Sequence, residues 1–256
     1  MWIHSCIVAS VFSSVVVGEV LWDNGALDSS DYPTLYMSQL DNVYPFQAQV
    51  ADDFLISGSD DAYNRACITA VTWYGAWGSP HEPPPDPSEF RFLVYRDLGG
   101  YPSGFGLDDP STAAEEIRTV SRDDVVESPV NDWVDQYTVD LSGQPLVLDL
   151  SRTYWLAIQS VNEFPPKWYW SATGGEQCGR FGVQGFPLID LPYWTPIDND
   201  LAFVLHGALL PMADLTGDGC VDQADLGALL SAYDLNGDGD LDGDGDTDQT
   251  DLGLLL

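Results

Sequence analysis

Apolar and polar positions alternate with a period of two along most of the chain. Residues 50–56 (VADDFLI), 67–75 (CITAVTWYG), 90–95 (FRFLVY), 136–141 (QYTVDL), 146–150 (LVLDL), 154–160 (YWLAIQS), 167–171 (KWYWS) and 201–206 (LAFVLH) are short runs rich in aromatic and β-branched residues. Each is bounded by Gly, Pro, Asn or Asp. Successive side chains of a strand point to opposite faces, so these runs predict half-buried strands. Many short strands between turn signals predict a mainly β fold, an antiparallel β-sandwich or jelly roll. Residues 21–41 read as a turn-rich opening, 79–87 (SPHEPPPDP) as a proline-stiffened loop and 99–109 (GGYPSGFGLDD) as a glycine-rich loop. Residues 115–118 offer one helical turn.

The pattern changes near residue 208. The remaining chain aligns on itself at an offset of 26, with DLTGDGCVDQADLGALL lying over DLDGDGDTDQTDLGLLL. That is an internal repeat rather than a plain acidic run. Side-chain oxygens fall at loop positions 1, 3, 5, 9 and 12, and glycine at position 6. In the first copy these are Asp214, Thr216, Asp218, Asp222 and Asp225 with Gly219; in the second, Asp240, Asp242, Asp244, Asp248 and Asp251 with Gly245. A hard cation such as Ca²⁺ takes about six to eight oxygens, and a short loop converges them only by turning sharply at its middle, which the glycine permits. The carbonyls of Cys220 and Asp246, at position 7, would each add one oxygen. Two Ca²⁺ sites are therefore expected, the first weaker because Thr216 is neutral.

Each loop is followed by a leucine-bearing run, LGALLSAY or LGLLL, that predicts an exiting helix packing the two copies together, the second reduced to about five residues before Leu256. The position-12 carboxylates open those helices, where negative charge suits the dipole. A competing register over 234–244 places Asp234, Asn236, Asp238, Asp240 and Asp242 but puts Gly245 at position 12, which leaves that segment as a linker or a weak third site.

Composition narrows the partners. Hydrophobic residues at 45% exclude a disordered chain. With 41 acidic residues against 8 Lys+Arg and a net charge of −33, phosphate backbones would be repelled, so no nucleic acid is expected. From residue 211 onward there are twelve Asp and no Lys or Arg. Residues 1–18 (MWIHSCIVASVFSSVVVG) read as a signal peptide cut near Gly18, with a buried N-terminal strand as the alternative. No other run approaches the ~20 apolar residues of a membrane span, so a secreted or cell-surface protein without one is expected. The division is a signal peptide over 1–18, a β-sandwich over 19–207 and a calcium-binding module over 208–256. Cys67 and Cys178 pair, leaving Cys220 odd, or all three are free thiols.

The tail resembles a dockerin module of the first type. It departs from a paired EF-hand in having Asp at position 12 and only LLPMA before Asp214. The resemblance implies that the residues named above are the calcium ligands. It also implies a cohesin-like partner protein, read at positions 10 and 11 by Gln223, Ala224, Gln249 and Thr250. A thrombospondin-type calcium repeat or an acidic linker is the alternative. The body resembles a group of secreted bacterial, planctomycete-like β-sandwich proteins of unknown function through three short motifs: ADDF at 51–54, F-x-(V/I)-Y-x-D at 92–97 followed by Gly and Pro at 99–102, and D-x-A-F at 200–203.

Chemistry in the body is less legible. His81 and His206 sit in no nucleophile or metal pattern. Glu115 with Glu116, or Glu82 with Glu89, would serve glycoside hydrolysis only if about 5 to 9.5 Å apart. The aromatic groups Trp73, Tyr74 and Trp77, then Trp168, Tyr169 and Trp170, then Tyr193 and Trp194, fill a core or bind carbohydrate; of three consecutive rings at least one faces outward. The expected function is a non-catalytic extracellular protein attached through its calcium-binding tail. The alternatives are a carbohydrate-binding component of polysaccharide degradation and a diverged glycoside hydrolase.

Overall fold

A computed structural model describes residues 18–28, 30, 33–43, 46–58, 63–78, 88–104, 114–175, 179–186, 191–217 and 221–256. The expected signal peptide therefore lies almost wholly outside the described residues, as do the prolines of 79–87. In chain order the strands are β1 (Glu19–Asp23), β2 (Leu35–Met37), β3 (Gln39–Asp41), β4 (Gln47–Leu55), β5 (Tyr63–Trp77) and β6 (Glu89–Arg96). They continue with β7 (Glu116–Ser121), β8 (Val125–Pro129), β9 (Asp135–Asp140), β10 (Leu146–Asp149) and β11 (Thr153–Asn162). The last are β12 (Trp168–Ser171), β13 (Val183–Phe186), β14 (Leu191–Pro196) and β15 (Phe203–Pro211), followed by helices α1 (Gln223–Ala232) and α2 (Gln249–Leu255).

The strands form two sheets. The first runs β1-β15-β5-β12-β2, with β10 and β9 on β5 and β8 beyond β9; the second runs β14-β13-β4-β3-β11-β6-β7. Pairing is antiparallel except where β3 lies parallel to β11. The fold is a mainly β sandwich. Alternation explains the layer between the sheets: Val50 and Phe54 of β4, Phe90, Phe92 and Val94 of β6, Leu156 and Ile158 of β11, and Trp168 and Trp170 of β12 join one buried cluster. Trp73 meets Phe90 and Phe92 edge-on, each at 5.2 Å, and stacks on Tyr137 at 5.4 Å. Contacts of this kind add about 0.5–1.5 kcal/mol per pair beyond area burial. Trp73, Trp77, Trp168 and Trp170 are thus core, whereas Tyr169, pointing the other way, is half-buried.

Residues 115–118 are not a helical turn. Glu116–Ser121 is a strand zipped antiparallel to β6, with exposure alternating along it. Ile117, Thr119 and Val120 favour the extended chain, and pairing with β6 overrides a weak local preference. The opening at 21–41, read as turns, contains the end of β1, which pairs with β15, and all of β2 and β3, which pair with β12 and β4. The sheet also passes the expected boundary at 207/208, because Ala208, Leu209 and Leu210 remain paired with β5. No helix among the described residues is long and apolar enough to cross a membrane. Among the described residues Cys67 is a free, half-buried thiol; the expected pairing with Cys178, and Cys220, lie outside the described residues.

Candidate metal centre

β15 delivers the chain into the first loop within three residues of Pro211. The two loops then repeat the same hydrogen bonds at the offset of 26. Asp214 Oδ1 accepts from the Gly217 amide at 2.7 Å, and Asp240 Oδ1 from the Gly243 amide at 2.7 Å. The amides of Thr216 and Asp242 donate to Oδ1 of Asp225 and Asp251, at 2.9 and 3.2 Å. Gly217 and Gly243 turn the chain at φ 75° and 79°, a left-handed conformation that costs glycine little.

The helices begin one residue after position 9, earlier than the sequence reading placed them. Asp222 and Asp248 are N-caps, accepting from the amides of Ala224 at 2.7 Å and Thr250 at 2.6 Å. The position-12 residues Asp225 and Asp251 close capping boxes by accepting from the cap amides at 2.8 and 2.7 Å. One carboxylate thereby serves both helix and loop. α2 has seven residues rather than five, and the box secures its first turn.

Asp214, Asp225 and Asp251 are fully buried. A buried carboxylate needs donors, and the backbone supplies them. The Asp248 amide, with those of Leu241 and Asp242, holds the Asp251 carboxyl below its usual range. For Asp225, burial pushes upward, but the amides of Asp222 and Thr216 and the Thr216 hydroxyl outweigh it and the pKa falls. Two neighbours move the other way. Desolvation, then the carboxylates of Asp244, Asp251 and Asp240, raise Asp242; the Asp244 carboxylate, then desolvation, Asp248 and Asp251, raise Asp246.

The second loop gathers its acids into two groups, Asp240 with Asp242 and Asp244, and Asp246 with Asp248 and Asp251. Within each group the carboxylate oxygens lie within 4.8 Å of one another. Ligands on opposite sides of a Ca²⁺ ion, each about 2.3–2.6 Å from it, stand about 4.6–5.2 Å apart. The all-oxygen donor set and its spacing therefore fit a hard divalent cation. Asp246, expected to offer only its carbonyl, places its side chain with Asp248 and Asp251. In the first loop, Asp214, Thr216, Asp222 and Asp225 are described and Asp218 and Cys220 are not.

The competing register does not assemble. Asp234 donates its amide to the Thr247 carbonyl at 2.9 Å, and Asn236 bonds Asp238 at 2.9 Å. Those contacts shape the linker. Of the leucines expected to join the copies, Leu229 is buried, with Gly239 against it, whereas Leu230, Leu254 and Leu256 are exposed. Gln223, Ala224, Gln249 and Thr250 are exposed as well.

In the body, Glu115 pairs with Arg96 and Glu116 with Arg118, so that carboxylate pair is engaged by cations. Glu89 is exposed, and Glu82 and His81 lie outside the described residues. His206 lies within β15, 3.3 Å from the Thr72 hydroxyl, and burial lowers its pKa. Two knots were not foreseen. Asp52 accepts from the Asn24 amide at 2.8 Å and from the Leu201 amide, joining the ADDF and D-x-A-F motifs. Asp97 accepts from Arg180 Nη1 and Trp155 Nε1, each at 2.9 Å, while Asp53 accepts from the Arg180 amide at 2.8 Å. The signal was the aspartates of the short motifs, Asp52 and Asp53 within β4 and Asp97 one residue past β6. No protein-family model and no curated protein matches the chain.

Proposed function

We propose that the tandem loops bind two Ca²⁺ ions and form a dockerin-like module that attaches a secreted, non-catalytic β-sandwich protein to a cohesin-like partner. The observation that carries this reading is the duplicated hydrogen-bond pattern around Asp214 and Asp240 and around Asp225 and Asp251. The acidic groups of the second loop support it further, because carboxylates that raise one another's pKa lose that repulsion when a cation sits among them. Asp214, Thr216, Asp218, Asp222 and Asp225 hold the first ion, and Asp240, Asp242, Asp244, Asp248 and Asp251 the second, with Cys220 and Asp246 completing the sets. Calcium neutralises the loops and fixes the helices they open; the exposed Gln223, Ala224, Gln249 and Thr250 then face the partner.

Calorimetric titration of Ca²⁺ into chelator-stripped protein tests this, beside the Asp240→Ala, Asp251→Ala double variant. Two saturable sites are expected in the parent and one in the variant. Heat that does not saturate, or that ignores the substitutions, reduces the tail to an acidic linker.

A further inference from the structure

The two loops are alike in sequence and unlike in what holds them. At the end of β15 the Asp214 amide donates to the Pro211 carbonyl at 3.0 Å, and this turn carries the first loop to β5. Arg65 and Cys67 of β5 stand opposite Leu210 and Ala208 of β15. Arg65 Nη2 donates to the Asp214 main-chain carbonyl, and a Cβ on Gly217 would lie 3.9 Å from Arg65 Nη1. The half-buried guanidinium therefore spans the loop from its first residue to its fourth. Burial raises the Cys67 thiol pKa and the Asp214 carboxylate raises it further, against Arg65, so that carboxylate also acts on β5. Asp214 is fully buried, whereas its counterpart Asp240 is half-buried. Among the described residues, the hydrogen bonds of the second loop close within the tail itself, on Gly237, Asp240 and Asp251.

A loop that takes a cation must converge its oxygens, and time spent open lowers the apparent affinity by the fraction of competent loops. Without an ion, the aspartates of the first loop repel one another and oppose that arrangement. Arg65 opposes the opening in two ways. Its hydrogen bond fixes the backbone of the first loop residue, and its charge offsets part of the loop's own. The bond uses the main-chain carbonyl rather than the side-chain oxygens expected to meet the ion, so it does not compete with them. The guanidinium charge does repel a divalent ion, but salt screens that repulsion and leaves the hydrogen bond in place. The first loop has the poorer donor set, with neutral Thr216 where the second has Asp242. It is also the loop that the sandwich holds in order.

We propose that Arg65 is a positioning residue for the first calcium site, and that calcium in that loop stabilises the sandwich in return. This rests on the calcium reading of the tail. The coupling is reciprocal: what Arg65 adds to ion affinity, the ion adds to the loop's hold on β5. All nine tryptophans lie at or before residue 194, so their fluorescence reports the sandwich alone. The full chain is compared with Arg65→Met and with the Asp240→Ala, Asp251→Ala double variant. Calorimetry with Ca²⁺ is run in about 1 M KCl, where the Debye length is about 3 Å. Thermal melts are followed by tryptophan fluorescence in Ca²⁺ and in chelator. Arg65→Met should weaken the first site about tenfold, as expected for one charge-assisted hydrogen bond, and leave the second unchanged. Calcium should raise the sandwich midpoint in the parent and in the double variant, and by less in Arg65→Met. Each shift is read within one variant, so a lower starting stability does not enter it. Arg65→Gln, which keeps a donor, replaces Arg65→Met if the latter fails to fold, and should show the same losses to a smaller degree. Two saturable sites that ignore these substitutions, or a parent midpoint that ignores calcium, overturn the proposal and leave the calcium reading standing. No saturable heat in the parent overturns both.

Discussion

The guanidinium of Arg65, on the longest strand of the sandwich, donates through Nη2 to the main-chain carbonyl of Asp214, the first residue of the first acidic loop. Arg65 lies opposite Leu210 and Asp149 in the sheet, so this bond ties the loop to the body at the point where β15 ends. Arg65→Met removes a charge-assisted donor from the carbonyl of a buried residue. The expected loss is about 1–2 kcal/mol, since Arg65 is partly exposed. Denaturant unfolding with calcium chelated measures it, and an unchanged midpoint would show that the tie contributes nothing.

Asp222 caps α1 and also belongs to the proposed first site. Its two roles separate by substitution: Asp222→Asn keeps a capping oxygen and loses the charge, whereas Asp222→Ala loses both. In chelator the Asn variant should match the parent in stability, and the Ala variant should fall by about 1 kcal/mol. In the Ca²⁺ titration both should weaken the first site and leave the second unchanged. A second site that weakens equally would mean that the loops bind as one unit.

Asp52 gives the body a pH dependence of its own. Burial is the main cause that raises its pKa well above the usual carboxylate value, and Asp200 and Asp53 add to it against the Leu201 and Asp53 amides. Because the folded pKa exceeds the unfolded one, the folded state binds the proton more tightly. Its contribution is complete below about pH 4 and is lost as pH rises through the raised value. Measured in chelator, the parent should gain stability relative to Asp52→Asn as pH falls from 7 towards 4. A constant difference would remove Asp52 as the titrating group.

Gly207 marks the bulge where β15 slips its register on β5. A Cβ there would lie 1.9 Å from the Cys67 carbonyl oxygen, a backbone atom that cannot swing aside. Gly207→Ala should cost about 3 kcal/mol, read as a lower thermal midpoint. A change within experimental error would mean that the bulge relocates.

Strands that line the core between the sheets were the legible part of the fold, because bulk and β-branched or aromatic content mark them without help from tertiary contacts. Residues 90–95, 136–141 and 154–160 announce β6, β9 and β11 in this way. β7, with Glu116 and Arg118 between its β-branched residues, and the three-residue β2 and β3 carry too little local signal; they exist because β6, β12 and β4 offer edges to pair with. In the tail, spacing alone marked the two acidic loops, and the repeat at an offset of 26 returns as duplicated hydrogen bonds. The double duty of Asp225 and Asp251 as loop and helix residues needed the backbone amides, and the grouping of the Asp246 side chain with Asp248 and Asp251 needed the folded loop. The contact of Gln49 with Gln159 was invisible because residues 110 apart meet only once β4 and β11 lie together.

The short passage from Pro211 to Asp214 gives the molecule a load path. Tension entering through the C-terminal loops arrives along the axis of the nine-residue β15, paired antiparallel with β5 at the centre of the first sheet. A strand pulled along its axis strains its ladder of hydrogen bonds together rather than one after another. A sandwich held by its tail against flow would thus be gripped through the long β15–β5 pairing, with the slips at Leu210/Pro211 and His206/Gly207 as the places where that grip begins to yield.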